Sequence, residues 1–401
     1  MNIKEIAELK RRLNPEKRNG TMIRGCYVRY DGTLISSFKE SIGMLSEEEL
    51  TQYCSLFKKV LSNAVNQHFL PVDFSAEDVQ KGEKHGILMD VLSTELTDDD
   101  AAQTLFERFS AYVSNLPEAK TQSIADQQLL PNYLFLLLHD VWDVPGRNLN
   151  EEIDLERSTN VFRYLLACVC PVKQGKTALT YSTTDGEFHA RIADWTVAAP
   201  RNGFLFPAYE DGGANLYRAM YYTADINGTG DAFVDEVFGV EPQMSANAQR
   251  ETFQTILAET LEESCTLENV QAVHETIREM LDENKAAKTE EPLTLTAAQA
   301  GQVLENCGIS PEKVENFENK YRETFGDYAQ MPAANLLQTK QMTVNVPNIS
   351  IRVAPEHSNM IQTRWIEGRA YLTIPVEGDI EVNGLRVQET PYLRTEEEAD
   401  V

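Results

Sequence analysis

At 401 residues, with 42% of side chains apolar and 25% charged, the chain is too long for one typical core and too apolar to be disordered. Its net charge of −27 sets it against phosphate backbones and argues against general nucleic-acid binding. No run approaches the roughly 18–20 apolar residues of a membrane-spanning helix.

The N-terminus, MNIKEIAELKRRL, is charged from its fourth residue and lacks an apolar stretch, so a secretory signal is not expected and a cytoplasmic location is. Residues 1–30 hold eight basic side chains against three acids, which makes this end +5 and the remainder −32. Two readings follow: the basic end docks on the chain's own acidic body, or it forms a site for an anion or a partner protein. Cys26, Cys54, Cys168, Cys170, Cys265 and Cys307 are scattered, with no C-x-x-C pair. Free thiols in a reducing compartment are expected, with neither a structural zinc nor a redox motif.

Ile3, Ile6, Leu9 and Leu13 recur at helical spacing and predict a short amphipathic helix ended by Asn14-Pro15. Met22–Ser37 reads as two strands joined at Asp31-Gly32. Ser46 with Glu49, and Ser75 with Asp78, are capping-box pairs; the helix from Ser75 should reach about Leu92, and another should start at Thr97. Tyr133 to Leu138 is apolar without a break and predicts a buried strand, followed by a turn around Asp143, Pro145 and Gly146 and an acidic loop at 150–157. Val161–Val172 predicts a central strand. Further strands are expected at Ala178–Ser182, Glu187–Ile192, Trp195–Ala199, Phe204–Tyr209 and Leu216–Thr223. Helices follow at about 245–264 and 266–283.

The fold class expected is α+β: a mixed, largely antiparallel sheet with packed helices, then a small helical unit and a small β-rich C-terminal module. The expected boundaries are 1–283 for the main domain, 284–293 for a linker, 294–337 for the helical unit and 338–390 for the β-rich module. A disordered acidic tail is expected at 391–401.

Five stretches are candidates for chemistry. His139-Asp140, with Asp143, closes a buried strand, where an imidazole and a carboxylate are suited to acid–base work. Neighbours on a strand point to opposite faces, however, so His139 and Asp140 are not expected to touch. The structural alternative has Asp140 and Asp143 capping backbone groups while His139 makes a buried hydrogen bond. Asp225–Glu236 has the spacing of a calcium loop, with Asp225, Asn227, Thr229, Asp231 and Glu236 in ligand positions. Phe233 and the strand-like segment upstream favour a glycine-rich strand-to-helix turn instead. Gly175-Lys176-Thr177 imitates the end of a phosphate loop but lacks its first glycine and a following helix. Cys168 and Cys170 share one strand face and read as buried packing. Glu210, Asp211, Asn215, Tyr217, Arg218, Tyr221 and Tyr222 either line a polar cleft or form a strand–turn–strand with its own acidic loop. No cofactor is expected, and no G-x-S-x-G, H-E-x-x-H or strand-linked G-x-G-x-x-G occurs.

The segments IKEIAELKRRLNPEK, RGCYV, LFLLLHDVWDVP, CVCPV, NGFLFPAYEDGGANLYRAMYY and ETFQTILAETL together resemble the bacterial family called domain of unknown function 4317, found in Firmicutes. The resemblance runs over nearly the whole chain. It implies a bacterial, cytoplasmic protein and transfers no activity, ligand or catalytic residue. The functional expectation is a non-enzymatic interaction or regulatory protein, meeting another protein through residues 1–30 or the C-terminal β module. The alternative is a hydrolase- or transferase-like enzyme with a cleft near His139, Asp140, Asp143, Glu210 and Asp211.

Overall fold

A computed structural model describes residues 1–15, 22–62, 64–120, 130–147, 153–175, 178–191, 194–210, 212–228, 230–289, 291–338, 341–376 and 378–387. The chain divides into two units, Met1–Thr252 with Asn284–Thr294, and Phe253–Glu283 with Leu295–Val401. The expected acidic tail lies outside the described residues.

The first unit begins with α1 (Ile3–Arg12), β1 (Met22–Val28), β2 (Leu34–Ser41), α2 (Glu47–Val60) and β3 (Phe69–Asp73). There follow α3 (Ala76–Lys81), α4 (Glu83–Ser93), α5 (Asp99–Asn115), β4 (Asn132–Arg147) and β5 (Ile153–Gln174). Short strands come next: β6 (Ala178–Tyr181), β7 (Phe188–Arg191), β8 (Trp195–Val197), β9 (Asn202–Phe206), β10 (Ala208–Glu210), β11 (Gly213–Asn215) and β12 (Arg218–Thr223). Helix α6 (Asp231–Phe238) follows, and α7 (Ala246–Leu261) begins in this unit and passes from Phe253 into the second.

The main sheet runs β2-β1-β4-β5-β9-β12-β3, with β8 added to β5. Its neighbouring strands pair antiparallel among the described residues, so the α+β class and the largely antiparallel sheet are as expected. Helices cover both faces. Tyr133, Phe135 and Leu137 of β4 pack with α4, α5 and α6 through Val91, Phe106, Phe109 and Phe233. Leu136, Leu138 and Trp142 pack on the other face with α1 and α2 through Ile6, Leu9, Leu50 and Phe57. This double cover explains the unbroken apolar run, because alternate side chains face different helical layers and both must be apolar. Phe135 stacks on Phe109 with centroids 4.5 Å apart.

Local chemistry sets the ends of these elements. The capping boxes at Ser46/Glu49 and Ser75/Asp78 form as expected. The β1–β2 turn is a three-residue loop in which Gly32 takes φ +87° and Arg29 N–H bonds the Thr33 carbonyl at 2.8 Å. The helix expected from Ser75 to Leu92 is two helices, broken at Gly82, whose ψ of 117° leaves the helical region. Asp98, one residue after Thr97, caps α5. The turn expected at Asp143–Gly146 is a strand: β4 continues through it against β5, and register shifts between Val144 and Gly146 absorb Pro145. The part of the expected acidic loop at 153–157 is likewise strand.

The second unit takes in α8 (Leu267–Ala286), the short strand β13 (Thr294–Leu295), α9 (Ala297–Asn306), α10 (Pro311–Phe325), β14 (Met331–Pro332) and α11 (Ala333–Leu336). Helix α8 runs to Ala286, into the stretch read as a linker. Phe317 of α10 meets Phe253 edge-on at 5.8 Å. Six strands then form three separate hairpins: β15 (Met342–Val346) with β16 (Ile349–Val353), β17 (Gln362–Ile366) with β18 (Arg369–Thr373), and β19 (Ile380–Val382) with β20 (Leu385–Val387). Gln271 of α8 donates to the carbonyls of Ser358 and Ile361 at 2.7 and 3.1 Å, which ties the connection between the first two hairpins to the helix.

Candidate functional site

Strand alternation sends His139 and Asp140 to opposite faces of the sheet. Asp140 lies opposite Tyr164 in register and is 2% exposed. Tyr164 donates a 2.6 Å hydrogen bond to one carboxylate oxygen, and Val141 N–H donates to the other at 2.8 Å. Burial pushes the Asp140 carboxyl up, while these hydrogen bonds and the Arg12 charge pull it part of the way back. The Arg12 guanidinium sits 5.5 Å from the centroid of the Trp142 ring.

A cavity of about 20 Å³ adjoins this pair, lined by Arg12, Ile23, Leu50, Cys54, Phe57 and Asp140 among others. That is room for one water molecule rather than a substrate. Burial pushes the Cys54 thiol up, away from the reactive thiolate form. Cys168 and Cys170 are buried on this face as expected, with sulfurs 3.9 Å apart. Burial pushes Cys168 up as well.

His139 is fully buried on the other face. Burial lowers its imidazole pKa, opposed by Glu95 and reinforced by Arg163; those two side chains form an ion pair at 3.6 Å. Asp143 is exposed on β4, opposite Val161.

Glu210 sits in a separate polar cluster. It accepts from the Met1 amine at 2.9 Å, from Arg218 Nη1 at 2.8 Å and from Asn215 Nδ2 at 2.8 Å. Arg218 Nε also bonds Asp73, which stands opposite it in the β3–β12 register. Burial opposes ionisation of Glu210, but the three donors win and hold its pKa at about 2. Such a carboxylate is charged and saturated, which suits an anchor better than a base. Asp211 lies outside the described residues. Among the described residues no hydrogen bond or ion pair links Glu210 to Asp140. Tyr217 is exposed, Tyr222 packs with the α1–α2 layer, and Tyr221 belongs to the opposite one.

The calcium-like segment is a strand-to-helix turn. Asp225 Oδ1 accepts from Asn227 N–H at 2.9 Å, Gly230 takes φ +65°, and α6 starts at Asp231. Glu236 accepts from Asn115 at 3.2 Å. Thr229 lies outside the described residues, as do Lys176 and Thr177 of the phosphate-loop imitation. Among the described residues no three His, Cys, Asp or Glu side chains converge to hold a metal ion.

Two buried polar arrangements had no signal in the sequence, because their partners are far apart in the chain. Tyr112 donates to Asn202 at 3.1 Å, and Asn202 donates to Tyr221. Arg24 is buried on β1 and donates to the carbonyls of Leu96 at 2.6 Å and Thr97 at 3.0 Å, and to Asp99. At least one cation of the basic N-terminal stretch is thus held by the chain's own body.

The model of the family described as a domain of unknown function, DUF4317, matches residues 1–385. The chain belongs to this family. The DUF4317 match reaches Leu385, so it takes in nearly all the described residues of both units, the C-terminal hairpins included. No curated protein matches the chain. Among the described residues no helix is long and apolar enough to cross a membrane.

Proposed function

We propose that this DUF4317 protein is a non-enzymatic interaction protein, and that its three C-terminal hairpins are the surface that meets a partner protein. One observation carries the reading: the hairpins leave large apolar side chains in water, with Trp365 75%, Leu385 72% and Ile349 58% exposed. Each hairpin is a sheet of two strands, with both outer edges unpaired among the described residues. Isolated two-stranded hairpins are marginally stable in water, and unpaired edges are templates for another strand. A partner that adds a strand and covers the apolar face removes both costs. Charge supports the choice of a protein partner. Residues 341–387 carry four arginines against five acids, so this segment is nearly neutral in a chain of net charge −27. The catalytic alternative gains no support from His139 and Asp140, which face different layers, or from Glu210, which is saturated by its donors.

The test is affinity capture from extracts of the native cells with the full chain and with the double variant Trp365→Ser/Leu385→Ser, both checked for folding by circular dichroism. The expected result is a protein captured stoichiometrically by the wild type and lost with the variant. Sedimentation of the purified chain separates self-association, which would name a second copy as the occupant. A monomer that captures the same proteins with and without the substitutions overturns the proposal.

A further inference from the structure

The second unit contains a cavity of about 210 Å³ that the hairpin proposal does not use. One wall is a single stripe of α8, where Val270, His274 and Arg278 are spaced four residues apart and share a helix face. Gln254 stands on α7, and Met342 and Ser358 close the opposite side. The carbonyl of Ser358 is bonded to Gln271, so that side is fixed to the same helix.

Two polar side chains of this helix face differ in what they offer to the cavity. His274 Nε2 is buried and meets no hydrogen-bond partner among the described residues. Burial and the neighbouring Arg278 charge both lower the pKa of this imidazole, so at neutral pH it carries one proton and offers one donor and one acceptor. Arg278 is mostly covered, and its contact with Glu275 is long, at 3.8 Å. That leaves guanidinium donors available on a cavity wall lined otherwise by amide and apolar groups. Among the described residues this partly spent cation on the wall of an otherwise amide- and apolar-lined cavity marks a place where a ligand's anionic group belongs.

We propose that this cavity binds a small organic carboxylate, with its carboxylate on Arg278 and its body against Val270 and Met342. The volume lies below the roughly 300–1,000 Å³ of drug-sized pockets, which restricts the ligand to a small metabolite. The guanidinium fork selects a planar anion over a neutral amide or an amine of the same shape.

Ligand-observed saturation-transfer NMR on the full chain, with benzoate, benzamide and benzylamine as matched probes, tests this. Benzoate is expected to bind, benzamide more weakly and benzylamine not at all. Arg278→Gln should weaken benzoate by at least about tenfold, equivalent to about 1.4 kcal/mol. Val270→Trp, which fills the cavity and keeps the cation, should abolish binding. Thermal melts of both variants establish that they fold. Equal binding of the three probes, no benzoate binding at millimolar concentration, or benzoate binding indifferent to both substitutions overturns the proposal.

Discussion

Tyr164 donates a 2.6 Å hydrogen bond to Asp140 across the β4–β5 register, in the buried layer between the sheet and α1–α2. Among the described residues the pair is the one point on that face where the sheet buries a carboxyl group beside a fully buried phenol, and it couples the fold's stability to pH. Burial raises the Asp140 pKa above 3.8, so the folded state holds this proton more tightly than the unfolded chain. The stabilisation is complete below pH 3.8 and is lost as the pH rises through the folded value. Asp140→Asn keeps an acceptor for Tyr164 without the buried charge. In urea denaturation it is expected to gain stability relative to wild type on going from pH 4 to pH 8. An unchanged difference between the two would show that Asp140 carries no such linkage.

Tyr164→Phe removes the donor and leaves a buried carboxylate short of one partner. The expected loss is about 1–3 kcal/mol at pH 7, measured by the same denaturation. Replacing both residues, as Asp140→Asn with Tyr164→Phe, should cost less than the sum of the two single changes, because they share one interaction.

Glu210 responds in the opposite sense. Its folded pKa is depressed from 4.5 to about 2, so its contribution is present above pH 4.5 and lost as the pH falls toward 2. Glu210→Gln should destabilise the protein by about 1 kcal/mol at pH 7, the low end for charged hydrogen bonds because the site is partly solvated. The difference from wild type should shrink at pH 3. A difference constant with pH would contradict this assignment.

Arg24 and Asp99 are bonded but not equivalent. Arg24 is buried and serves two backbone carbonyls, while Asp99 is 80% exposed. Arg24→Ala is expected to cost about 2–3 kcal/mol by leaving the buried Leu96 carbonyl without this donor, while Thr97 keeps Lys39 Nζ at 2.9 Å. Asp99→Asn should cost less than about 1 kcal/mol, as for other exposed ion pairs. Thermal or chemical denaturation of the two variants decides it, and equal losses would refute the distinction.

Gly203 is set by packing. A Cβ there would lie 2.5 Å from the Ala167 carbonyl oxygen and 2.8 Å from Val60 Cγ2. Gly203→Ala should therefore destabilise by about 1–3 kcal/mol through overpacking and disturb the β5–β9 ladder. Hydrogen exchange at Ala167 and Leu205 reports that disturbance directly.

These relationships mark where sequence patterning suffices. The run Tyr133–Leu138 shows burial on both faces, and period two alone separates His139 from Asp140. The capping boxes at Ser46 and Ser75 are local chemistry, and they form. Patterning does not give strand neighbours, because side-chain alternation is the same for parallel and antiparallel pairs. Hence Tyr164 opposite Asp140 and Arg24 beside Asp99 are invisible until register is fixed. Pro145 and Gly146 carry ordinary turn signals, yet a register shift takes them into a strand. The division at Thr252 is equally hidden, since helix periodicity shows an apolar stripe but not which core it joins.

The proposed docking surface is the set of three C-terminal hairpins. Hydrogen exchange on the full chain, with and without the captured partner, tests this directly. The prediction is new protection at the amides of 362–373 and 380–387, with β4 unchanged. Protection confined to the main sheet, or no change in the hairpins at saturating partner, would contradict it.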